Sequence, residues 1–207
     1  LCFLLDTTGS MGDEIARIQS TLLAITAKMR KLESKPRIRL GMVLYRDHGD
    51  EYVTRRFDFT EDAEAFDKAL REVKADGGGD TPEQLNMGLY AAVEQLAWGR
   101  DALRLCFLVA DASPHMDYAD DVPYVATLRS AVAKGIKVYP TGASGLEPVG
   151  SYVMRQIAQF TLANFLFIEY GKSAGGHGVE EGTYQTNNLD DIVLRIVKQE
   201  LSAYAAP

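Results

Sequence analysis

The spacing of hydrophobic residues changes from block to block along this chain, and each change marks an element. Leu1–Leu5 is an unbroken apolar run of strand length, the pattern of a strand buried on both faces. Ile15, Ile18, Leu22, Ile25, Met29 and Leu32 then recur every three or four positions, which is one face of a helix. Arg37–Tyr45 reads as a second strand, alternating at Ile38, Leu40, Met42 and Leu44. Tyr52–Phe59 is a shorter, more polar third strand, suited to a sheet edge. The tight loop His48–Glu51 between them predicts a hairpin, hence an antiparallel edge. Ala63–Val73 is a modest helix, broken by Asp76-Gly77-Gly78-Gly79-Asp80.

Thr81-Pro82-Glu83-Gln84 predicts a fresh helix start, with Thr as N-cap, Pro at the first helical position and Gln as capping-box partner. That helix is expected to run to about Ala97. Leu103–Ala110 is a buried strand ending at Asp111, and Val122–Lys134 a helix stopped by Gly135. Ile136–Thr141 reads as a strand, Tyr152–Phe160 as a helix, Phe165–Glu169 as a strand and Leu189–Tyr204 as a closing helix. The glycine-rich stretch Gly171–Gly182 predicts a mobile loop before that last helix. Strand, helix, hairpin and then repeated helix–strand units define an α/β protein with a mostly parallel sheet. Right-handed crossovers place helices on both of its faces.

Composition narrows the chemistry. A length of 207 residues fits one domain, 1–207, with a substantial core. Leu1 already lies inside an apolar strand with no lead-in, so the chain reads as an excerpt of a longer protein, and missing targeting signals decide nothing about compartment. A net charge of −7 without any Lys/Arg block argues against nucleic acid and for a cation or a basic protein patch. No apolar run approaches the ~20 residues of a membrane span, so no direct membrane insertion is expected. The two cysteines, Cys2 and Cys106, fall in separate apolar runs and read as buried free thiols. Oligomeric state stays open.

The most informative polar stretch is Asp6-Thr7-Thr8-Gly9-Ser10-Met11, directly after the first strand and before the first helix. A strand-to-helix turn is where open α/β sheets bind ligands. Its carboxylate and hydroxyls are hard oxygen donors, suited to Mg²⁺, Mn²⁺ or Ca²⁺ rather than Zn²⁺ or copper. Thr81 and Asp111 offer compatible donors at two other element ends. If the sheet is doubly wound with the first and fourth strands adjacent, Asp6 and Asp111 face each other across the switch-point crevice and Thr81 returns to the same rim. Each of Ser10 and Thr81 alone is also explained as a helix cap, and Asp111 as a turn former. Caps and turns do not explain why all five donors occur together.

Here the chain resembles the von Willebrand factor A domain family, whose metal-ion-dependent adhesion site has the pattern Asp-x-Ser-x-Ser, a later Thr and a later Asp. In this sequence the pattern reads Asp6-Thr7-Thr8-Gly9-Ser10, Thr81 within Gly-Gly-Asp-Thr-Pro-Glu, and Asp111 within Leu-Val-Ala-Asp-Ala. The resemblance implies a doubly wound sheet ordered 3-2-1-4-5-6 with one antiparallel edge strand. It also implies a divalent cation, Mg²⁺ first and Mn²⁺ or Ca²⁺ as alternatives, held by Asp6, Thr8, Ser10, Thr81 and Asp111. The hydroxyls would touch the ion and the carboxylates would often act through water. A protein partner would complete the coordination with an Asp or Glu carboxylate. Thr8 departs from the commoner Ser, and Ala112 stands where Gly is frequent; neither removes a donor.

Asp47, His48 and Asp50 follow the second strand and His115 follows Asp111, so these four are candidates for a partner-binding rim. A solvated turn is the plainer explanation of them, and partner contact the sharper alternative. His177 reads as exposed, and three isolated histidines form no zinc motif. Gly171-Lys172-Ser173 lacks the opening glycine of a phosphate loop, because Leu166 occupies that place. Trp98, Tyr118, Tyr124 and Tyr152 fit core edges or binding anchors alike. The function expected is therefore a metal-dependent protein-interaction module without catalysis. Two alternatives stand beside it. One is a Mg²⁺-dependent phosphotransferase or phosphatase with Asp6 as nucleophile, weakened because Thr8 stands where haloacid-dehalogenase-like enzymes carry a second Asp. The other is a purely structural assembly domain.

Overall fold

The first strand of the chain is a central strand of its sheet. The computed structural model describes residues 1–32, 35–79, 81–143, 145–167 and 189–204. β1 (Cys2–Asp6) pairs in parallel with β2 (Leu40–Tyr45) on one side and β4 (Arg104–Ala110) on the other. β3 (Thr54–Thr60) adds antiparallel to β2, and β5 (Ile136–Gly142) and β6 (Leu166–Phe167) extend the far side in parallel. The sheet has six strands in the order β3-β2-β1-β4-β5-β6. The expected α/β architecture, strand order and antiparallel edge are all present.

Burial on both faces follows from the alternation within the strands. Phe3 and Leu5 of β1 and Leu105, Phe107 and Val109 of β4 point into one core, against α1 (Gly12–Arg30), α2 (Ala63–Arg71) and α6 (Leu189–Tyr204). Cys2 and Leu4, with Cys106, Leu108 and Ala110, enter a second core against α3 (Leu85–Glu94), α4 (Tyr124–Ala133) and α5 (Pro148–Phe160). Both cysteines are free and buried, in register on adjacent strands. β3 carries the exposed positions expected of an edge. No helix among the described residues is long and apolar enough to cross a membrane.

The main departure lies at Thr81–Gln84. The Thr81–Pro82 peptide is cis, and α3 starts only at Leu85, with Gln84 as its N-cap and no side-chain cap bond. The predicted Thr81 cap and Gln84 capping box do not form. A tertiary pairing takes their place: Glu83 N–H donates to Ser113 O at 2.9 Å and His115 N–H to Glu83 O at 3.1 Å, a parallel bridge between Glu83 and Pro114. Backbone committed to that bridge cannot turn into a helix. Gln84 uses its amide on Asp121 instead, at 2.9 Å. α3 also ends at Glu94 rather than near Ala97, while α5 begins earlier than predicted, with Pro148 in its first turn. β6 covers two residues of the expected Phe165–Glu169 strand; Glu169, the Gly171–Gly182 stretch, Gly171-Lys172-Ser173 and His177 lie outside the described residues.

Candidate functional site

β1 and β4 run side by side in the same direction, with Cys2 opposite Cys106 and Leu5 opposite Val109. Their C-terminal ends therefore bring Asp6 and Asp111 to one rim. After β1 the chain leaves for α1 on one face, and after β4 for α4 on the other, which makes this gap the switch point where doubly wound sheets bind ligands.

Asp6 is wholly buried, and its Oδ1 accepts from Thr8 N–H at 3.0 Å and from Thr8 Oγ1 at 2.7 Å. Thr8 Oγ1 lies 3.4 Å from Ser10 Oγ, so the three donors of the first segment form one string. Asp6 Oδ2 and Asp111 Oδ1 are buried without a hydrogen-bond partner. Burial raises the Asp6 carboxyl to about 7; the Thr8 hydrogen bonds pull it down and the facing Asp111 pushes it up. Burial also lifts Asp111, and a hydrogen bond from Ser10 draws it partly back. The Tyr45 phenol is buried against Asp6; its hydroxyl falls short of normal hydrogen-bond geometry, yet it draws the Asp6 carboxyl down, while burial first and then Asp6, Asp111 and Glu83 raise the phenol. Thr81 is exposed on the segment leading to Glu83, and among the described residues no hydrogen bond joins it to the other four candidates.

A glycine loop closes the crevice. Gly9 N–H donates to Gly77 O at 3.0 Å and Asp76 N–H to Thr7 O at 3.1 Å, so this loop is tied directly to the turn after β1. Asp50 Oδ2 accepts from Gly78 N–H at 2.9 Å and Asp47 N–H at 3.1 Å. Gly77 and Gly78 both have positive φ, and a Cβ on Gly77 would lie 2.2 Å from Asp50 Oδ1. Only glycine lets the backbone approach that closely in that conformation.

The four rim candidates divide. His48 is exposed, whereas Asp47 and His115 are buried and Asp50 is spent on the glycine loop. His115 Nε2 lies 3.4 Å from Asp47 Oδ2, its Nδ1 is 2.8 Å from Asp117 Oδ1, and its ring stacks on Tyr118 at 4.0 Å. His48 lies 4.5 Å from the same Tyr118 ring. Asp47 and His115 thus hold the loops in place, and His48 is the one of the four displayed to solvent. Of the ambiguous aromatics, Tyr124 is buried, Trp98 packs against the second core, and Tyr152 is 63% exposed.

Glu83 was not among the predicted site residues, yet its side chain is buried beside the site with Oε2 unpartnered. Burial pushes its carboxyl to about 8, and Asp6, Asp47, Asp50 and Asp111 add to the rise. Glu14, at the start of α1, is raised by burial and by Asp111 and Asp13. The sequence signal for Glu83 was its place two residues after Thr81, masked by the helix-start pattern.

A hard divalent cation fits this set on one ground: two facing carboxylates each leave a buried oxygen unpartnered, with hydroxyls beside them. Among the described residues no three His, Cys, Asp or Glu side chains converge as a ligand group, so the remaining donors would be hydroxyls.

Fold and rim together define a doubly wound α/β domain with an acid- and hydroxyl-lined switch point. The sequence model of the von Willebrand factor A domain matches residues 1–133, and the chain belongs to that family. It is 28% identical over 118 residues to alpha-protein kinase vwkA of Dictyostelium discoideum, covering 56% of this chain and 18% of that protein. It is 35% identical over 116 residues to the human von Willebrand factor A domain-containing protein 7, covering 55% of this chain and 12% of that protein. The match thus spans under a fifth of either relative. Among solved structures, the conserved hypothetical protein BatB of Bacteroides thetaiotaomicron superposes with a TM-score of 0.67 at 12% identity, over 99% of this chain and 97% of that one. That likeness is one of fold.

Proposed function

We propose that this domain is a cation-dependent protein-binding module whose ligand is an Asp or Glu side chain of a partner protein. The observation that carries the reading is the pair of buried, unpartnered carboxylate oxygens, Asp6 Oδ2 and Asp111 Oδ1, meeting at the switch point. Family membership supports an interaction role.

Asp6, Thr8, Ser10, Thr81 and Asp111 would hold the ion, Mg²⁺ in the first place with Mn²⁺ or Ca²⁺ as alternatives. A bound divalent cation supplies Lewis-acid attraction for an incoming carboxylate. The chain's own part is to fix charge and access. Thr8 orients Asp6 through two hydrogen bonds, and Ser10, which is exposed, keeps the rim open to a partner. Two carboxylates balance the divalent charge and the neutral hydroxyls add none, so the ion would keep enough Lewis acidity at an open position to attract a further carboxylate. His48 is displayed beside this opening and is the candidate partner contact. We read the domain as non-catalytic, since Thr8 stands where a phosphoryl-transfer site would place its general acid.

Isothermal titration calorimetry with Mn²⁺ tests the reading. One saturable site is expected in the wild type, lost in Asp111→Ala. Absence of binding in the folded wild type, or unchanged binding in the variant, refutes it. Mg²⁺-dependent hydrolysis of p-nitrophenyl phosphate that disappears in Asp6→Asn would favour the phosphatase reading instead.

A further inference from the structure

Arg46, the residue after β2, is a cation only 4% exposed. Its Nη2 donates to Lys74 O at 2.9 Å, while its Nε is buried without a hydrogen-bond partner among the described residues. The carboxylate paired with it, Glu51, stands 3.7 Å from Nη1, too long for a hydrogen bond. Glu51 is engaged by Arg55 instead, at 2.9 Å, and its side chain is 65% exposed. Both guanidiniums lie over the Tyr52 ring, Arg46 at 4.5 Å and Arg55 at 4.3 Å from its centroid. Two like charges over one ring repel, and Glu51 answers only one of them closely. Taking a guanidinium out of water is costly unless acceptors replace the water on its N–H groups.

These side chains border a recess of about 140 Å³ between the β2–β3 hairpin and α2. Leu44, Phe57, Ala69 and Val73 line it with apolar surface, and Arg46, Tyr52 and Arg55 line it with polar groups. Its volume is far below the roughly 300–1,000 Å³ of pockets that take drug-sized ligands. It suits an ion of a few heavy atoms. Glu72 and Asp76 also border it, but both residues are exposed, so water screens them, and Asp76 Oδ1 accepts from Gly77 N–H at 2.9 Å.

We propose that this recess is a binding site for a small oxyanion of the phosphoryl class, held by the Arg46 guanidinium with Arg55 beside it. A single carboxylate, Glu51, reaches only one of the two guanidiniums at hydrogen-bond distance; a dianion with oxygens on several sides serves both. The guanidinium fork matches phosphate oxygens, and stacking on Tyr52 pre-orients it. Tyr52 is itself pinned, with its hydroxyl 2.8 Å from Thr7 Oγ1. Glu51 is the internal competitor: its carboxylate draws on the same two guanidiniums and swings into solvent when the oxyanion enters. Neither arginine is a proposed cation ligand, so the inference stands independently of the cation reading.

The test titrates inorganic phosphate, in EDTA, into isotope-labelled protein and follows the Arg46 Nε–H and Tyr52 backbone amide signals by NMR. A unit charge roughly 6 Å from a dianion changes its affinity about three- to tenfold, depending on salt. The wild type should show saturable shifts of both signals at millimolar phosphate. Arg46→Gln should abolish the Tyr52 response, Glu51→Gln should tighten binding about three- to tenfold, and Arg55→Gln should weaken it by a similar factor. Should Arg46→Gln fail to fold, the opposite shifts of the two exposed-residue variants, Glu51→Gln and Arg55→Gln, decide alone. O-phospho-L-serine distinguishes the source: binding as tight as phosphate supports a phosphorylated side chain of a partner, and weaker binding supports the free ion. No saturable shift in the folded wild type, equal binding of acetate, or affinities unchanged in both Glu51→Gln and Arg55→Gln overturns the proposal.

Discussion

Replacing Asp6 by Asn should make the cation-free protein more stable while abolishing its response to cations. Asp6 is wholly buried, and burial lifts its carboxyl from 3.8 to about 7. The folded chain therefore keeps that proton up to about pH 7, whereas the unfolded chain releases it near pH 4. Stability that is fully present below pH 4 is lost as pH rises through about 7. A rise of that size corresponds to about 4 kcal/mol at most. Relaxation around a buried carboxylate that also faces Asp111 brings the working figure to about 2 kcal/mol. For a chain of this length that is roughly 4–8 °C in Tm. Asn keeps an oxygen for the Thr8 hydrogen bonds and never ionises. Thermal melts by circular dichroism in EDTA should show Asp6→Asn above the wild type at pH 8.5, with the gap about half as large at pH 5.5 and closing toward pH 4. Saturating Mn²⁺ should raise only the wild type. A variant less stable at every pH, or a gap independent of pH, refutes the reasoning.

Two further perturbations probe the scaffold. Gly78→Ala places a methyl 2.8 Å from Glu83 Oε1 and 3.1 Å from Thr8 Cβ at a φ of +66°; urea unfolding should show a loss of about 1–3 kcal/mol, with weaker Mn²⁺ uptake in the same protein. Glu200 on α6 accepts from Lys137 Nζ at 2.8 Å and Tyr139 Oη at 2.6 Å on β5. Glu200→Gln should cost about 1–2 kcal/mol, and hydrogen exchange should rise first in α6 rather than in the sheet.

Elements whose evidence is local were legible in the sequence. The apolar run of β1, the 3.6-residue repeat of α1 and the alternation in β2 each name an element without reference to any other part of the chain. The hairpin to β3 was equally readable, because a short polar loop between two strand patterns permits few alternatives. The candidate donors were legible for a related reason: Asp6 and Asp111 end their strands, and the sheet order alone sets them side by side.

What stayed hidden depends on contacts between segments far apart in sequence. Thr81-Pro82-Glu83-Gln84 satisfies every local rule for a helix start, and the pairing of Glu83 with Ser113 and His115 overrides all of them. The same pairing buries Glu83 near Thr8 and Gly78, so the displaced helix start and the unforeseen burial of this carboxyl have one cause. Asp47 and His115 show the converse. Polar residues in loops read as a displayed rim, but each is covered once β2 and β4 lie on either side of β1 and Tyr118 stacks over the His115 ring. A doubly wound sheet converts strand ends into a site by adjacency, which sequence order reveals. The loops around that site are set by pairings such as Glu83 with Pro114 and Asp50 with Gly78, and those fix how much negative charge the crevice holds.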